Sequence, residues 1–225
     1  MKVTVRAFAK INLMLDILRT LEDGFHELFM LMQSVGLYDT VSVETDESGK
    51  ISVHCDNADI PTGSENIAYK AAEAFFEYTK VQNPGISIEI VKRIPHAAGL
   101  AGGSADAAGT VAALKKLFAP ALSDREVAEI CAKVGSDVPF CALGGTMLAQ
   151  YTGTVLSYLP QTEIGKIVIV KPEMSVSTGK AYKAFDTAER VRHLDKSGML
   201  EAVMKGVVEG IYSRVDNGFE QFIDV

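Results

Sequence analysis

Apolar and polar positions alternate with period two over Thr40–Thr45 and Ile51–Cys55, the pattern of half-buried strands. Gly85-Ile-Ser-Ile-Glu-Ile-Val91 repeats the alternation and predicts a further strand. Val3 to Leu18 reads as strand, turn and strand, with Ala7 to Leu13 at its centre. Asp23-Gly24, inside the polar stretch Leu21–Glu27, is a strong hairpin signal. The period turns helical from about Ser64 to Tyr78, where Ala68, Ala71, Ala72, Phe75 and Phe76 fall on or near one face. The alanine-rich stretch after Ser104 predicts a helix to about Phe118, and Ser123-Asp-Arg-Glu126 is a capping box for a helix that stops near Gly135. Strands are expected around Gly145–Gln150, Val155–Leu159 and Lys166–Val170. A more polar, mostly helical tail contains Met199–Val208, and Phe219–Val225 begins like one more helix. The mixture is α+β without regular βαβ alternation. A composition shift at Leu159-Pro160 divides the chain into 1–159 and 160–225.

Composition narrows the partners. With 225 residues and 48% hydrophobic content, the chain can build one large domain or two small ones. A net charge of −7 without a lysine–arginine cluster argues against a nucleic-acid backbone or an anionic membrane as the main partner. A small anion is still compatible, because local backbone donors and a few cations can hold phosphate inside an acidic protein. Cys55, Cys131 and Cys141 are odd in number and lack metal-type spacing, which favours a reducing compartment over a disulfide framework. His54, His96 and His193 form no metal pattern with nearby carboxylates, so no zinc site is assigned. The N-terminus alternates like a strand without a signal-peptide h-region, and no apolar run is long enough to cross a bilayer. The expectation is a soluble cytoplasmic protein, monomeric or weakly homodimeric.

The densest chemical signal is Pro95-His-Ala-Ala-Gly-Leu-Ala-Gly-Gly-Ser-Ala-Asp-Ala-Ala108, a glycine-rich loop running into a helix. Gly99, Gly102 and Gly103 permit positive φ and close backbone approach, so consecutive N–H groups can face one concavity. A helix start beneath that concavity favours phosphate. The loop is neither a P-loop, since no Gly-Lys-Ser/Thr follows, nor a dinucleotide fingerprint in spacing. A plain strand–turn–helix connection is the alternative reading.

Other polar residues stand where chemistry could use them. In Gly135-Ser-Asp137-Val-Pro139-Phe, Pro139 discourages helix at Val138, so Asp137 belongs on a tight turn, as a pocket carboxylate or as the N-cap of a short helix. Lys10 lies in a strand pattern, as a sheet-edge residue or as a cation aimed at a phosphoryl group or carboxylate. Asn12 shares its strand face. Phe25-His26 after the hairpin turn is either solvated loop or an aromatic–imidazole pair able to stack on a base and read its edge.

Ala9-Lys10-Ile11-Asn12-Leu13, Asp23-Gly24-Phe25-His26-Glu27, Ile94-Pro95 through Ala108 and Gly135 through Phe140 occur in that order over nearly the whole chain. Together they resemble the GHMP kinase superfamily and, through the Asp-Gly-aromatic-His element, its 4-diphosphocytidyl-2-C-methyl-D-erythritol kinase family. The resemblance implies a two-domain α+β fold with the active site in the cleft between domains. It implies ATP, with Mg²⁺, phosphorylating the 2-hydroxyl of the cytidylyl-linked methylerythritol in the non-mevalonate route to isoprenoid precursors. By position, Asp137 is the implied base or hydroxyl-orienting group and Lys10 its cationic partner. Pro95, Ala98, Gly99, Leu100, Ala101, Gly102, Gly103 and Ser104 are implied around the ATP phosphates, with Asn66 and Lys92 at the adenine nucleoside. Phe25 and His26 are implied to hold cytosine, Tyr182 to supply the opposing stacking face after Val176-Ser-Thr178, and Asn12 and Thr178 to line the acceptor. Phe25 replaces a more usual tyrosine, and Tyr151-Thr-Gly153 replaces a turn richer in glycine or arginine. No Ser-Gly-Ser-Gly-Pro-like segment occurs before Val225, so the second domain is expected to be incomplete. A GHMP kinase for another small alcohol, or a non-catalytic nucleotide-binding relative, are the competing readings.

Overall fold

A computed structural model describes residues 1–171 and 178–222, apart from the side chain of Thr178. Two compact units are present, and neither is a single stretch: Met1–Lys10 with Ser34–Gly144, and Ile11–Gln33 with Gly145–Val225. The division expected at Leu159-Pro160 falls inside the second unit. The cause lies in two long strands, β1 (Lys2–Thr20) and β2 (His26–Thr45), each of which contributes to both units. The turn expected within Val3–Leu18 does not form. No glycine, proline or positive φ interrupts β1, and the Lys10 N–H finds an acceptor in the Leu100 carbonyl at 3.1 Å. The Asp23-Gly24 turn forms as expected, with Leu21 N–H donating to the Phe25 carbonyl at 2.7 Å and Gly24 at φ +82°.

The first unit adds β3 (Ile51–Cys55), α1 (Ile67–Thr79), β4 (Ile86–Val91), α2 (Gly102–Phe118), α3 (Asp124–Ala132) and α4 (Val138–Leu143). Its strands lie in the order β3-β4-β2-β1. β3 runs parallel to β4, and β4 antiparallel to β2 from Thr40↔Val91 to Thr45↔Ile86. The period-two pattern now has its cause: Val41, Val43, Ile86, Ile88 and Ile90 are fully buried on one face. Against that face packs α2, and Gly109 lets it come close, because a Cβ there would stand 3.1 Å from Ala7 Cβ and Val41 Cγ2. α1 packs along α2, and its Ala68, Ala71, Ala72 and Phe75 are fully buried. The Ser123–Glu126 capping box is made in both directions.

The second unit adds β5 (Thr146–Tyr151), β6 (Val155–Tyr158), α5 (Thr178–Asp186), α6 (Lys196–Lys205), α7 (Val208–Tyr212) and β7 (Asp216–Asn217). β5 pairs antiparallel with β2 and β6, and β7 pairs parallel with β1 at Met14↔Asp216. Leu13, Met14, Phe29 and Leu31 form its core with Met199, Val203 and Ile211. Asp16, fully buried on β1, accepts from Lys196 Nζ at 2.6 Å and from Leu194 N–H at 3.3 Å, so a compensated charge fixes the start of α6. The strand expected at Lys166–Val170 is not formed. No ladder partner lies beside it among the described residues, and Val168 and Val170 are 86% and 84% exposed. The helix expected from Phe219 is only a short 3₁₀ turn, Gly218–Gln221, capped by Asn217 Oδ1; Ile223 to Val225 lie outside the described residues.

Candidate active site

The glycine-rich loop lies wholly in the first unit, between β4 and α2. Of its three glycines only Gly99 takes a positive φ, +71°; the other left-handed positions belong to Ala97 (φ +53°) and Ala101 (φ +57°). An alanine held there costs about 1–2 kcal/mol, a strain that the surrounding packing must maintain. Gly102 serves a different purpose, close packing: a Cβ would stand 3.1 Å from Ile94 Cγ2 and 3.3 Å from Lys92 Nζ. Ala101 is the N-cap of α2 and provides no side-chain cap, while the first helical bond runs from Ala105 N–H to the Ala101 carbonyl. The N–H groups of Gly102, Gly103 and Ser104 thus precede the helical ladder without a capping side chain, a geometry suited to an oxyanion. Buried Leu100 pins the loop, its carbonyl accepting from Lys10 N–H.

Beneath the loop lies a buried charge cluster that the sequence did not announce. Lys92 Nζ donates to Asp39 Oδ2 at 2.5 Å and to Asp106 Oδ2 at 2.7 Å, with side-chain exposures of 6%, 0% and 4% respectively. Asp39 Oδ1 also accepts from the backbone N–H groups of Arg93 and Ile94 at 2.5 and 2.8 Å. One carboxylate therefore holds the exit of β4 at three points. A single ammonium cannot compensate two carboxylates: burial pushes the Asp106 carboxyl up to about 7 against the opposing pull of Lys92, and Asp106 Oδ1 is buried without a hydrogen-bond partner. For Lys92, burial acts downward, but Asp106 and Asp39 outweigh it and raise the ammonium above its ordinary value. The side chain implied at the adenine nucleoside is thus engaged under the loop. Asn66 is similarly engaged: buried at the N-cap of α1, its Oδ1 accepts from Ala68 N–H at 2.8 Å and its Nδ2 donates to the Pro61 carbonyl.

Lys10 and Asp137 come together in the same unit, with Nζ 3.6 Å from Oδ2. Lys10 is buried, and the Asp137 carboxylate is one-third exposed. Asp137 does occupy the N-cap position of α4, with Pro139 in the first turn, but its side chain makes no capping hydrogen bond. The carboxylate faces the ammonium instead. Neighbouring thiols offer no nucleophile, because burial pushes both Cys141 and Cys131 up to about 12. Asn12 lies on β1 in the second unit, half-buried.

The second unit brings together His26 and α5. His26 Nε2 lies 2.8 Å from Asp186 Oδ1, and its ring stacks on Tyr182 with centroids 4.3 Å apart and planes inclined 19°. Phe185 meets the same ring edge-on at 5.6 Å. Phe25 stands beside it, 63% exposed on the hairpin turn. Thr178 opens α5, with its side chain outside the described residues. Sequence reasoning missed Asp39, Asp106 and Asp186. Asp106 was legible as a carboxylate inside an alanine-rich helix; the other two had no local signal.

The loop suits a phosphate group on its own geometry: helix-start N–H groups without a capping side chain, the tight contact at Gly102 and an anchored entry strand. Among the described residues no group of three or more His, Cys, Asp or Glu could hold a metal ion. A magnesium ion delivered by phosphates keeps several waters and needs only one or two protein oxygens, which Ser104 at the helix start could supply. No helix of the described residues is long and apolar enough to cross a membrane.

Residues 66–145 match the family described as GHMP kinases N terminal domain, a span that holds both the loop and Asp137. The 4-diphosphocytidyl-2-C-methyl-D-erythritol kinase of Clostridium acetobutylicum is 40% identical over 218 residues, covering 97% of this chain and 77% of that protein. Its namesake from Desulfitobacterium hafniense is 42% identical, covering 97% and 74%. A crystal structure of 4-(cytidine 5'-diphospho)-2C-methyl-D-erythritol kinase superposes with a TM-score of 0.72 at 31% identity, covering 98% of this chain and 76% of that one. The phosphomevalonate kinase of Streptococcus pneumoniae, 15% identical with a TM-score of 0.69, shares the fold alone. The chain therefore spans about three quarters of the length of these relatives.

Proposed function

The chain belongs to the 4-diphosphocytidyl-2-C-methyl-D-erythritol kinase family, and from that premise we propose that it transfers the γ-phosphoryl group of ATP to the 2-hydroxyl of 4-diphosphocytidyl-2-C-methyl-D-erythritol. The observation that carries this reading is the Lys10–Asp137 pair at 3.6 Å, in the same unit as a phosphate-shaped loop, with the carboxylate left out of helix capping. Phosphoryl transfer needs positioning and charge stabilisation more than covalent chemistry. The first unit supplies the donor half: the N–H groups of Gly102, Gly103 and Ser104 cradle phosphate oxygens, while Pro95, Ala98, Gly99, Leu100 and Ala101 shape the loop. Asn66 and Lys92 act beneath the nucleotide, holding the starts of α1 and α2. Asp137 accepts the proton of the acceptor hydroxyl, and Lys10 steadies the carboxylate and the charge that develops on the transferred group. Ser104 would hold an Mg²⁺ ion carried in with ATP, and that ion would supply charge neutralisation. In the second unit Phe25, His26 and Tyr182 take the cytosine, and Asn12 and Thr178 the rest of the acceptor.

The test is ADP release by the purified chain with Mg-ATP and the cytidylyl acceptor, with mevalonate and homoserine in parallel. Release that depends on the cytidylyl compound alone is expected. Turnover with another alcohol, or ATP binding without any turnover, would overturn the assignment.

A further inference from the structure

Asp186 has no role in the proposed reaction, yet it holds the one imidazole proposed to read the base. We propose that Asp186 is a positioning residue that sets the base preference of the acceptor site by fixing which nitrogen of His26 carries the proton. The inference rests on the acceptor reading above, since it assumes that His26 faces a pyrimidine. Asp186 Oδ1 lies 2.8 Å from His26 Nε2 and accepts from Thr20 Oγ1 at 2.7 Å. An ionised carboxylate only accepts, so Nε2 must be the donor. The hydrogen bonds from Thr20 and His26 hold the Asp186 carboxyl below its ordinary value, which keeps it ionised at neutral pH. With the proton on Nε2, the neutral ring presents Nδ1 as a lone pair. Ring rotation is opposed on two sides, by the Tyr182 stack at 4.3 Å and the Phe185 edge contact at 5.6 Å, and the His26 side chain is only 8% exposed.

A fixed acceptor discriminates between pyrimidines. The exocyclic amine of cytosine donates to it, whereas the corresponding carbonyl of uracil is itself an acceptor and repels it. Stacking on Phe25 does not discriminate, because every base has a π-face. Base choice therefore depends on the imidazole, and the imidazole on Asp186. Asp186→Asn removes that control, since an amide can donate as well as accept and allows the proton to sit on Nδ1.

The experiment measures CDP and UDP affinity for the full chain and for D186N, together with ATP affinity. Wild type is expected to favour CDP by about tenfold or more, and D186N to lose about tenfold of that ratio while ATP affinity is unchanged. D186E, which restores an acceptor-only carboxylate, should regain part of the preference. An unchanged CDP/UDP ratio in D186N, or equal loss of both nucleotides, would overturn the inference. Wild type that does not favour CDP would instead overturn the acceptor reading, and this inference with it. The ¹⁵N shifts of His26 in the wild-type chain provide a check that needs no variant: a protonated Nε2 and bare Nδ1 are expected, and a protonated Nδ1 contradicts the proposal.

Discussion

The two units hold their candidate site side chains by different physics. In the first, the loop is braced by the buried cluster Asp39–Lys92–Asp106, with side chains at most 6% exposed. In the second, His26 is gripped by a tyrosine face, a phenylalanine edge and a carboxylate that is 39% exposed. Charged phosphate requires donors fixed in direction, and a buried ion cluster provides that rigidity at a desolvation cost. A flat base needs a face and an edge, which stacking aromatics provide more loosely. Asp16 with Lys196 shows that the second unit can also bury a compensated charge, but it applies it to seating α6.

The sharpest way to separate the halves is Asp137→Asn. Turnover should fall about a hundredfold or more while ATP and CDP affinities hold; near-normal turnover would remove the proton-acceptor role. Asp39→Asn comes next. It leaves Lys92 and two backbone N–H groups with a weaker acceptor, and stability in urea should drop by about 3 kcal/mol or more, with ATP affinity falling ahead of CDP affinity. A drop below about 1 kcal/mol would show that the cluster does not brace the loop.

Asp106 makes the brace pH-dependent. Its folded carboxyl is raised to about 7, so between the ordinary carboxylate range and that value the folded state binds the proton more tightly than the unfolded one. Stability from this group is therefore greatest at low pH, falls as pH rises towards 7 and levels off above it. Asp106→Asn should flatten that fall in melting temperature between pH 5 and about 7; an unaltered profile would show that the buried carboxyl does not titrate there. The smallest effect is expected at Gly102→Ala. The added Cβ meets Ile94 and Lys92 at 3.1 and 3.3 Å, so ATP affinity should weaken by roughly three- to tenfold, about 1 kcal/mol, with CDP affinity untouched.

Much of the first unit's candidate site was legible because its signals are local. The Pro95–Ser104 loop, the Ser123–Glu126 capping box and Asp137 before Pro139 each declare themselves within a few residues. What escaped was held by tertiary distance. Nothing beside Lys92 in the sequence points to Asp39, 53 residues earlier, as its partner. Asp186 has no local signal, because the fold brings His26 to it across 160 residues. The misplaced left-handed positions have a similar cause: glycine marks where positive φ is cheap, not where packing enforces it, and Ala97 and Ala101 adopt it while Gly102 does not. The strand expected at Lys166–Val170 failed because β-branched alternation needs a partner to become a ladder, and no partner is encoded in the segment itself.

³¹P spectroscopy of the reaction mixture is the decisive measurement of the proposed transfer. After incubation of the chain with Mg-ATP and 4-diphosphocytidyl-2-C-methyl-D-erythritol, one new phosphomonoester on the 2-hydroxyl of the methylerythritol unit is expected, with the cytidine diphosphate bridge intact. A phosphate on the ribose, a cleaved bridge, or no ester alongside normal ATP binding would contradict it.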